Sequence, residues 1–139
     1  MKLYHVSPRK IIKGIPKLPN SSLAKQGYEE NKTKRFSVSP SIKKCLLGKS
    51  MPLKDKELYV YEIKPTKKIR SITNHKIVSD KLVPDAKITG ERWILDPVRL
   101  KCVGKIKVID SVDKGISYKY GKNKTAKLYG WKYKFIKEG

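Results

Sequence analysis

The stretch Glu91–Lys101 reads Glu-Arg-Trp-Ile-Leu-Asp-Pro-Val-Arg-Leu-Lys and places a carboxylate directly before a hydrophobic segment. The pattern predicts a strand over Arg92–Leu95, a turn at Asp96-Pro97 and a second strand over Arg99–Ile109. In the second strand, apolar residues alternate with mostly lysine, which is typical of a strand that buries one face. The residues expected on its buried face are Leu100, Cys102, Ile106 and Val108. The stretch therefore predicts two successive strands, with Glu91 at the entry to the first.

Further strands are predicted on the N-terminal side of this stretch. Leu3–Val6 and Arg35–Ser39 are short segments that run into a Ser-Pro pair, and Glu57–Ile63 alternates clearly between two faces. Weaker extended segments are expected over Ile69–Ile72 and Lys76–Val78. Strands therefore dominate the chain, which favours the α+β class.

One helix is predicted after Ser39-Pro40, because Ser is a favoured N-cap and Pro suits the first helical position. Apolar residues at i, i+3 and i+4 follow and would share one helical face: Ile42, Cys45 and Leu46. We expect Gly48 to end this helix, and we expect a shorter helical turn over Arg9–Lys13 that ends at Gly14. Residues 15–34 are polar and show no periodicity, so they are expected to form a long loop. The expected fold is a small α+β domain with one or two short helices.

At 139 residues the chain is expected to form one domain, residues 1–139, with residues 111–139 as basic, aromatic strands or a hairpin. Its 34 basic and 12 acidic residues give a formal net charge of +22. That charge favours an anionic partner, such as nucleic acid or an acidic protein surface. Only 5 of the basic residues are Arg, which is better suited than Lys to bidentate phosphate contacts. A lysine-rich solvated surface without a partner is therefore the alternative interpretation.

Two cysteines, Cys45 and Cys102, are too few for a disulfide framework or a zinc site. Both lie in apolar patterns, so buried free thiols and no bound metal are expected. The chain has no apolar run of about 18 residues and no signal peptide. We therefore expect a soluble cytoplasmic protein with no membrane contact.

The C-terminal region interleaves aromatic residues with lysine. The spacing of two between Trp131, Tyr133 and Phe135 fits an edge strand whose lysines point outward. The same composition can stack on bases and neutralise phosphates, as in proteins that bind single-stranded nucleic acid. The candidate contacts with nucleic acid or another anion are Arg35, Arg92, Lys119, Lys132, Lys134 and Trp131. A structural hairpin and a binding surface are both compatible with this pattern.

His5 and Glu91 are the candidate catalytic residues. His5 lies near the end of the first predicted strand and Glu91 at the start of a later one, so their side chains can face one cleft. Imidazole and carboxylate groups can carry out acid–base chemistry or hydrogen-bond to the hydroxyl groups of ribose. A histidine with a purely structural role is the alternative, because the two residues lie far apart in the sequence.

Three segments, taken in order, resemble ADP-ribosyltransferases of the poly(ADP-ribose) polymerase and diphtheria-toxin type. Leu3–Ser7 resembles the opening strand of that family with its His-Gly-Ser/Thr motif, and Arg35–Pro40 is similar to the middle motif that precedes a helix. Glu91–Asp96 is similar to the family's Glu-Tyr-Ile-Val-Tyr-Asp strand. The resemblance covers residues 3–110 and implies a split, mostly antiparallel sheet with a cleft between its halves.

The resemblance implies a role for each matching residue in binding NAD as a substrate. His5 would hold the adenosine-side ribose, and the backbone of Val6 would bind the amide of nicotinamide. Glu91 would hydrogen-bond to the nicotinamide ribose and stabilise the positive charge that develops as nicotinamide leaves. The residues implied in NAD binding are His5, Val6, Ser7, Ser37, Phe36 and Tyr61.

The chain departs from the family pattern at two of these positions. Val6 stands where the family has Gly, which crowds a close approach to the backbone. Ser37 stands where the family has the Tyr that stacks on nicotinamide, unless Phe36 or Tyr61 provides that ring. The resemblance implies transfer of ADP-ribose from NAD to a protein or nucleic acid, as by a phage or mobile-element effector. The alternative is a non-enzymatic binding module on a degenerate version of the fold, for nucleic acid, an NAD-derived nucleotide or an acidic protein.

Overall fold

The computed structural model of the protein describes residues 2–47, 49 and 52–136. The strands within these residues are β1 (Leu3–Ser7), β2 (Lys13–Gly14), β3 (Phe36–Val38), β4 (Glu57–Ile63), β5 (Ser71–Ile72), β6 (Arg92–Ile94), β7 (Val98–Arg99), β8 (Lys101–Tyr120) and β9 (Lys124–Ile136). The helices are α1 (Ser22–Lys25), α2 (Ile42–Leu47), α3 (Asn74–Ser79) and α4 (Ala86–Thr89). The α+β class is confirmed, while the described part of the chain has four short helices where one or two were predicted.

The strands form three antiparallel sheets. The largest has four strands in the order β1-β4-β8-β9, and a second has three strands in the order β3-β6-β5. Strands β2 and β7 form a separate two-stranded ladder. The largest sheet places the N-terminal strand at one edge and the C-terminal strand of the long β8–β9 hairpin at the other.

Strand β1 connects the two larger sheets. On one side it pairs with β4 along its whole length. On the other side Tyr4 exchanges two backbone hydrogen bonds with Ser39, at 2.8 and 3.0 Å, just beyond the end of β3. This isolated bridge is the only backbone pairing between β1 and the β3 region in the described chain. Backbone pairing therefore joins these two sheets at one point in the described chain, and a cleft lies beside it.

Three apolar clusters hold these elements together. The first draws on both larger sheets and contains Leu3, Phe36, Val38, Tyr61, Ile63, Ile94, Val98 and Leu100. The second packs α2 against the four-stranded sheet and contains Val6, Leu46, Leu53, Leu58, Val60, Ile106 and Val108. The third surrounds the fully buried ring of Trp93 and contains Ile77, Val83 and Ala86. Because truncating a buried Trp to Ala typically costs about 3–5 kcal/mol, Trp93 anchors β6 firmly.

The predicted helix after Ser39-Pro40 is present as α2, but it begins two residues later than expected. The hydroxyl of Ser41 accepts a hydrogen bond from the N–H of Lys44 at 3.2 Å, so Ser41 and not Ser39 caps the helix. Ser39 is instead used in the bridge to β1. The residue expected to end the helix, Gly48, lies outside the described residues.

Two of the local predictions are wrong. The turn of helix expected over Arg9–Lys13 is absent, because Lys13–Gly14 pairs with β7. The extended segment expected over Lys76–Val78 lies within α3, whose first turn is capped by the hydroxyl of Thr73 at 3.3 Å from the N–H of Lys76. A Thr N-cap is a strong local signal that outweighs the β-branched residues in this helix.

The predicted strand Arg99–Ile109 is divided in the structure: Arg99 belongs to β7, and β8 begins at Lys101, continues beyond Ile109 to Tyr120 and contains a bulge. Val60 pairs with Gly104 and Tyr61 with Cys102, so Val103 is left without a partner on β4. The extra residue interrupts the alternation of side chains. As a result Cys102, which was expected to be buried, is exposed, while Cys45 on α2 is half-buried.

The tip of the β8–β9 hairpin folds back onto the loop after α1. Gly121 has a φ of +58° and lies so close to the ring of Tyr28 that an added methyl group would overlap it. The rings of Tyr28 and Tyr120 meet edge to face with their centroids 5.2 Å apart. The hairpin thereby forms one wall of the cavities near α3 and α4. None of the helices described is long and apolar enough to cross a membrane.

Candidate functional site

His5, Ser37 and Glu91 come together from three separate segments of the chain. The Nδ1 of His5 on β1 lies 2.9 Å from the carbonyl oxygen of Ser37 on β3. The hydroxyl of Ser37 lies 3.4 Å from Oε2 of Glu91, which immediately precedes β6. Strands β3 and β6 are antiparallel neighbours, with Ser37 opposite Trp93. The structure therefore brings both predicted catalytic residues to the same serine in the cleft between the sheets.

Local backbone structure places Glu91 at this position. Helix α4 ends at Gly90, whose φ of +69° is left-handed and turns the chain sharply into β6. The side-chain amide of Asn74 donates hydrogen bonds to the carbonyls of Glu91 and Ala86, both at 2.9 Å. The amide of Glu91 also donates to the hydroxyl of Thr89 at 3.3 Å. The backbone on each side of the carboxylate is thus held by α3 and α4.

The carboxyl group of Glu91 is itself held by the indole of Trp93. The Nε1–H of Trp93 donates a hydrogen bond to Oε2 of Glu91 at 2.5 Å. Burial raises the pKa of Glu91 from its ordinary 4.5 to about 7, against the opposing effects of the Trp93 hydrogen bond and the charge of Arg35. The negative charges of Glu29 and Asp85 add to the increase. Glu91 therefore titrates near neutral pH, where it can both accept and release a proton.

The imidazole of His5 is neutral at physiological pH. Burial lowers its pKa from 6.5 to about 4, and the nearby ammonium of Lys49 acts in the same direction. Because a neutral ring carries one N–H, the bond to the carbonyl of Ser37 makes Nδ1 the donor and leaves Nε2 as an acceptor. The ring rests against Phe36 with centroids 4.2 Å apart. His5 is thus fixed in one tautomer that can accept a hydrogen bond from a ligand hydroxyl.

These residues surround a small space, here termed the first cavity, of about 150 Å³. Its other lining residues are Val6, Val38, Ser39, Lys44, Cys45, Lys49 and Thr89. A dry cavity of about 150 Å³ is known to accommodate a benzene ring. Burial raises the pKa of the Cys45 thiol to about 11, and its Sγ donates to the carbonyl of Tyr4 at 3.2 Å. Cys45 therefore stays protonated and is unsuited to act as a nucleophile.

Lys49 extends into the first cavity. Its Nζ donates a hydrogen bond of 3.1 Å to the carbonyl of Val6, the same backbone group that the family resemblance assigns to the nicotinamide amide. Burial lowers the pKa of Lys49. Within the described residues, Lys49 forms no ion pair with a carboxylate. A ligand amide at Val6 would have to displace this ammonium or share the carbonyl with it.

A larger space, here termed the second cavity, adjoins the first. It has a volume of about 380 Å³ and shares Lys49 and Glu91 with the first cavity. Glu29 and Asp85 contribute carboxylates to it, and burial together with the charge of Glu29 raises the pKa of Asp85 to about 6. Its aromatic lining comes from the hairpin: Tyr118, Tyr129 and Trp131. Glu91 therefore stands at the junction of a small cavity and a wider one.

Three residues implied in NAD binding lie away from the first cavity. The hydroxyl of Ser7 accepts the N–H of Arg9 at 3.1 Å beyond the cavity. Tyr61 is buried in the core, where its hydroxyl accepts the N–H of Ile11 at 2.8 Å. Phe36 is also a core residue and reaches the site only through its contact with His5. Neither ring can replace the aromatic residue missing at Ser37, because alternation along β3 and β4 turns both into the core.

The residues predicted to contact an anion differ widely in accessibility. Arg35 is only 6% exposed, pairs with Glu29 and Glu30 at 3.2 and 3.6 Å, and covers the ring of Trp93. Its guanidinium is therefore unavailable to nucleic acid. Arg92 is half-buried and donates to the hydroxyl of Ser71 at 2.9 Å. The remaining residues are the exposed Lys119, Lys132 and Lys134, and the half-buried Trp131, which packs against the second apolar cluster.

Several contributors to the site were not anticipated from the sequence. The sequence pattern predicts only a strand around Trp93. Because residues two apart in a strand share one face, the indole of Trp93 can nevertheless reach the carboxylate of Glu91. Glu29 and Asp85 lie in polar segments without periodicity, and Lys49 follows a helix end, so none of them carried a usable signal. The described residues contain no group of three or more His, Cys, Asp or Glu side chains arranged to hold a metal ion.

Comparisons of the chain with models of protein families, with curated proteins and with solved structures found no match.

Proposed function

We propose that the protein binds NAD at the His5–Ser37–Glu91 site and transfers ADP-ribose to a macromolecule. The observation that carries this proposal is the meeting of His5 and Glu91 at Ser37, through contacts of 2.9 and 3.4 Å. The three segments that resemble an ADP-ribosyltransferase are distant in sequence, and their functional side chains nevertheless line one cavity. A split between two antiparallel sheets at this point agrees with the arrangement that the resemblance implies.

The dimensions of the two cavities suit a dinucleotide divided between them. The first cavity has room for a single ring, and the nicotinamide would lie there beside Glu91 and the backbone of Val6. His5 lines this cavity and not the second one, so it would face the nicotinamide side of NAD and not the adenosine-side ribose that the resemblance implies. The remainder of NAD is too large for that space and would extend past Lys49 into the second cavity. The ammonium of Lys49, which lines both cavities, would neutralise part of the charge on the pyrophosphate.

Glu91 is placed to stabilise charge on the ribose. In the proposed reaction the glycosidic bond breaks and its electron pair stays with nicotinamide, so positive charge develops on the ribose. A carboxylate fixed by the Trp93 indole stabilises this charge without having to reorient. The acceptor then forms a bond to the ribose carbon and gives up its proton, which Glu91 can take because its pKa lies near 7.

Two features argue for slow turnover. Lys49 already donates to the Val6 carbonyl, and among the described residues no Tyr, Phe or Trp ring lines the first cavity to stack on nicotinamide. Both reduce the binding energy available for orienting the substrate, and orientation is a major part of catalysis. We therefore expect nicotinamide release to be measurable only in assays that run for many hours.

The test is release of nicotinamide from NAD by the purified protein, followed by chromatography. Wild type should release nicotinamide, and Glu91→Gln should reduce the rate by at least about 100-fold, as expected for loss of one charge-stabilising group. Glu57→Gln is the matched control, because Glu57 is an exposed carboxylate on β4 away from both cavities. Equal rates for wild type and Glu91→Gln, or no release and no binding of NAD by wild type, would refute the proposal.

A second candidate function is binding of an anionic partner without catalysis. The observation that favours it is the accessibility of the lysines on the β8–β9 hairpin, where Lys119, Lys132 and Lys134 are all exposed. With a net charge of +22, affinity for any polyanion should fall steeply with salt. In that case Glu91→Gln and wild type would bind the partner equally.

A further inference from the structure

We infer that a pocket under the tip of the β8–β9 hairpin binds a phosphate and its neighbouring base in single-stranded nucleic acid. This space, here termed the hairpin pocket, lies between the hairpin tip and helices α3 and α4 and has a volume of about 390 Å³. That volume falls within the range of about 300–1,000 Å³ that is usual for small-ligand sites. The inference adds a site to either candidate function and does not depend on NAD chemistry.

The hairpin pocket concentrates positive charge without a carboxylate. Three lysines line it from three different elements: Lys81 after α3, Lys87 on α4 and Lys119 on β8. None of the three forms an ion pair with a described residue, and all are exposed. Converging unpaired ammonium groups repel one another, so an anion placed among them is stabilised. The pocket therefore favours a phosphate.

The aromatic residues of the hairpin pocket favour a base beside that phosphate. Tyr28 and Tyr120 both line the pocket and meet edge to face at 5.2 Å, while Lys124 lies over Tyr28 at 4.9 Å. Aromatic rings beside lysines are the usual elements of single-strand binding, because unpaired bases have free faces for stacking. Bases in a duplex are already stacked on one another, so a concave pocket with tyrosines selects single strands.

The neighbouring second cavity directs the anion to this side of the hairpin. Val83 lines both spaces, but in the second cavity Lys49 and Lys127 are accompanied by the carboxylates of Glu29, Asp85 and Glu91, whereas the described lining of the hairpin pocket has lysines alone. A phosphate of a nucleic-acid strand is therefore favoured more by the hairpin pocket than by the second cavity. The fold holds the lysine set in place through Gly121, whose close contact with Tyr28 admits no side chain. The site is thus localised and is not a general consequence of the net charge.

The test measures the binding of a labelled single-stranded oligonucleotide by fluorescence anisotropy, in a series of salt concentrations and without NAD. The oligonucleotide has roughly twelve nucleotides, a length within the usual range of sites in proteins that bind single strands. The pocket variant combines Lys81→Gln, Lys87→Gln and Lys119→Gln. The control variant makes the same charge change at exposed residues outside the pocket and away from the hairpin lysines named above: Lys64→Gln, Lys67→Gln and Lys101→Gln. A third variant replaces the same pocket lysines by Arg and should keep the affinity if charge is what matters.

We expect the pocket variant to raise Kd at least about tenfold. Because the pocket holds one phosphate and each phosphate contact contributes about 0.7 for single strands, the slope of log K against log salt should fall by about 0.7. The control should change Kd by less than about threefold, and Tyr120→Leu should weaken binding without changing the slope. The inference would be overturned if the two Gln variants lost affinity equally, or if wild type did not bind the oligonucleotide. It would also be overturned if wild type bound duplex more tightly than single strands, or if an acidic peptide competed for the protein as well as the oligonucleotide does. Glu91→Gln should bind the oligonucleotide like wild type, so failure of the NAD proposal stays separate.

Discussion

Replacing Glu91 by Gln should stabilise the protein at alkaline pH and leave its stability unchanged at acidic pH. The folded protein raises the pKa of Glu91 from 4.5 to about 7, so folding disfavours the charged carboxylate. Below pH 4.5 the group is protonated in both the folded and the unfolded state and has no effect. As the pH rises from 4.5 to about 7, Glu91 ionises in the unfolded state before it ionises in the folded state, which lowers the free energy of unfolding of wild type. At 1.36 kcal/mol for each unit between the two pKa values, the decrease reaches roughly 3 kcal/mol. Gln keeps the shape and an oxygen that accepts from Trp93, but it has no charge to bury.

The measurement is urea unfolding of wild type and Glu91→Gln at several pH values from 4 to 9. We expect the variant to exceed wild type in free energy of unfolding by about 2–3 kcal/mol at pH 8 and by close to zero at pH 4. Glu57→Gln is the control for replacing a carboxylate that is exposed and lies outside both cavities. A difference that is constant with pH, or a variant that is less stable than wild type at pH 8, would refute the reasoning that the cavity disfavours the charged form.

Three further predictions concern groups around the site. Burial lowers the pKa of His5 from 6.5 to about 4, so the unfolded state takes up a proton before the folded state does as the pH falls. The stability of wild type should therefore decrease between pH 6.5 and pH 4. In urea titrations over that range, His5→Gln should lose less free energy of unfolding than wild type. Gly121→Ala should lower the free energy of unfolding by about 2 kcal/mol or more, because the added methyl group overlaps Tyr28 and the backbone is strained. Gly115 has a similar φ of +68° but open space around it, so Gly115→Ala should lower the free energy of unfolding only by the strain of about 1 kcal/mol. Arg35→Met should lower the free energy of unfolding by about 3–5 kcal/mol in the same assay, because two carboxylates lose their buried partner; a loss below 1 kcal/mol would contradict this assignment.

Much of the fold is predictable from the sequence where the local pattern and the final packing agree. The alternation over Glu57–Ile63 coincides with β4, and the segments around His5 and Ser37 form strands at the expected positions. His5 lies in the middle of β1 and Glu91 immediately before β6, and both reach Ser37 in the cleft, so the pairing was predicted correctly although the expected position of His5 near a strand end was not. These features depend on the spacing of apolar residues, which is visible in one dimension.

The rest depends on contacts that no local pattern encodes. The bulge at Val103, which exposes Cys102, becomes visible only through the pairing with β4, and its one local sign is Gly104, whose φ is +147°. Arg35 looked like a surface cation, but its partner Glu29 comes from a loop without periodicity. Lys49 follows the end of α2 and bonds to the carbonyl of Val6. The direction of such a long side chain depends on which space the surrounding elements leave open, and the sequence does not show that space. The charges and pKa values of the site therefore depend on three-dimensional contacts that the local sequence pattern does not show.

The isolated bridge between Tyr4 and Ser39 has a consequence for how the cleft can open. Only two backbone hydrogen bonds join β1 to the β3 region, whereas β1 is paired with β4 along its whole length. At about 1 kcal/mol net for each bond, these two hydrogen bonds hold the halves together only weakly, and most of the resistance to separation comes from the first apolar cluster, which draws on both sheets. The amides of Tyr4 and Ser39 should exchange with deuterium before the β1–β4 amides, because they form an isolated pair of bonds. A ligand larger than the resting cavity would have to part apolar side chains of both sheets as well as these two hydrogen bonds.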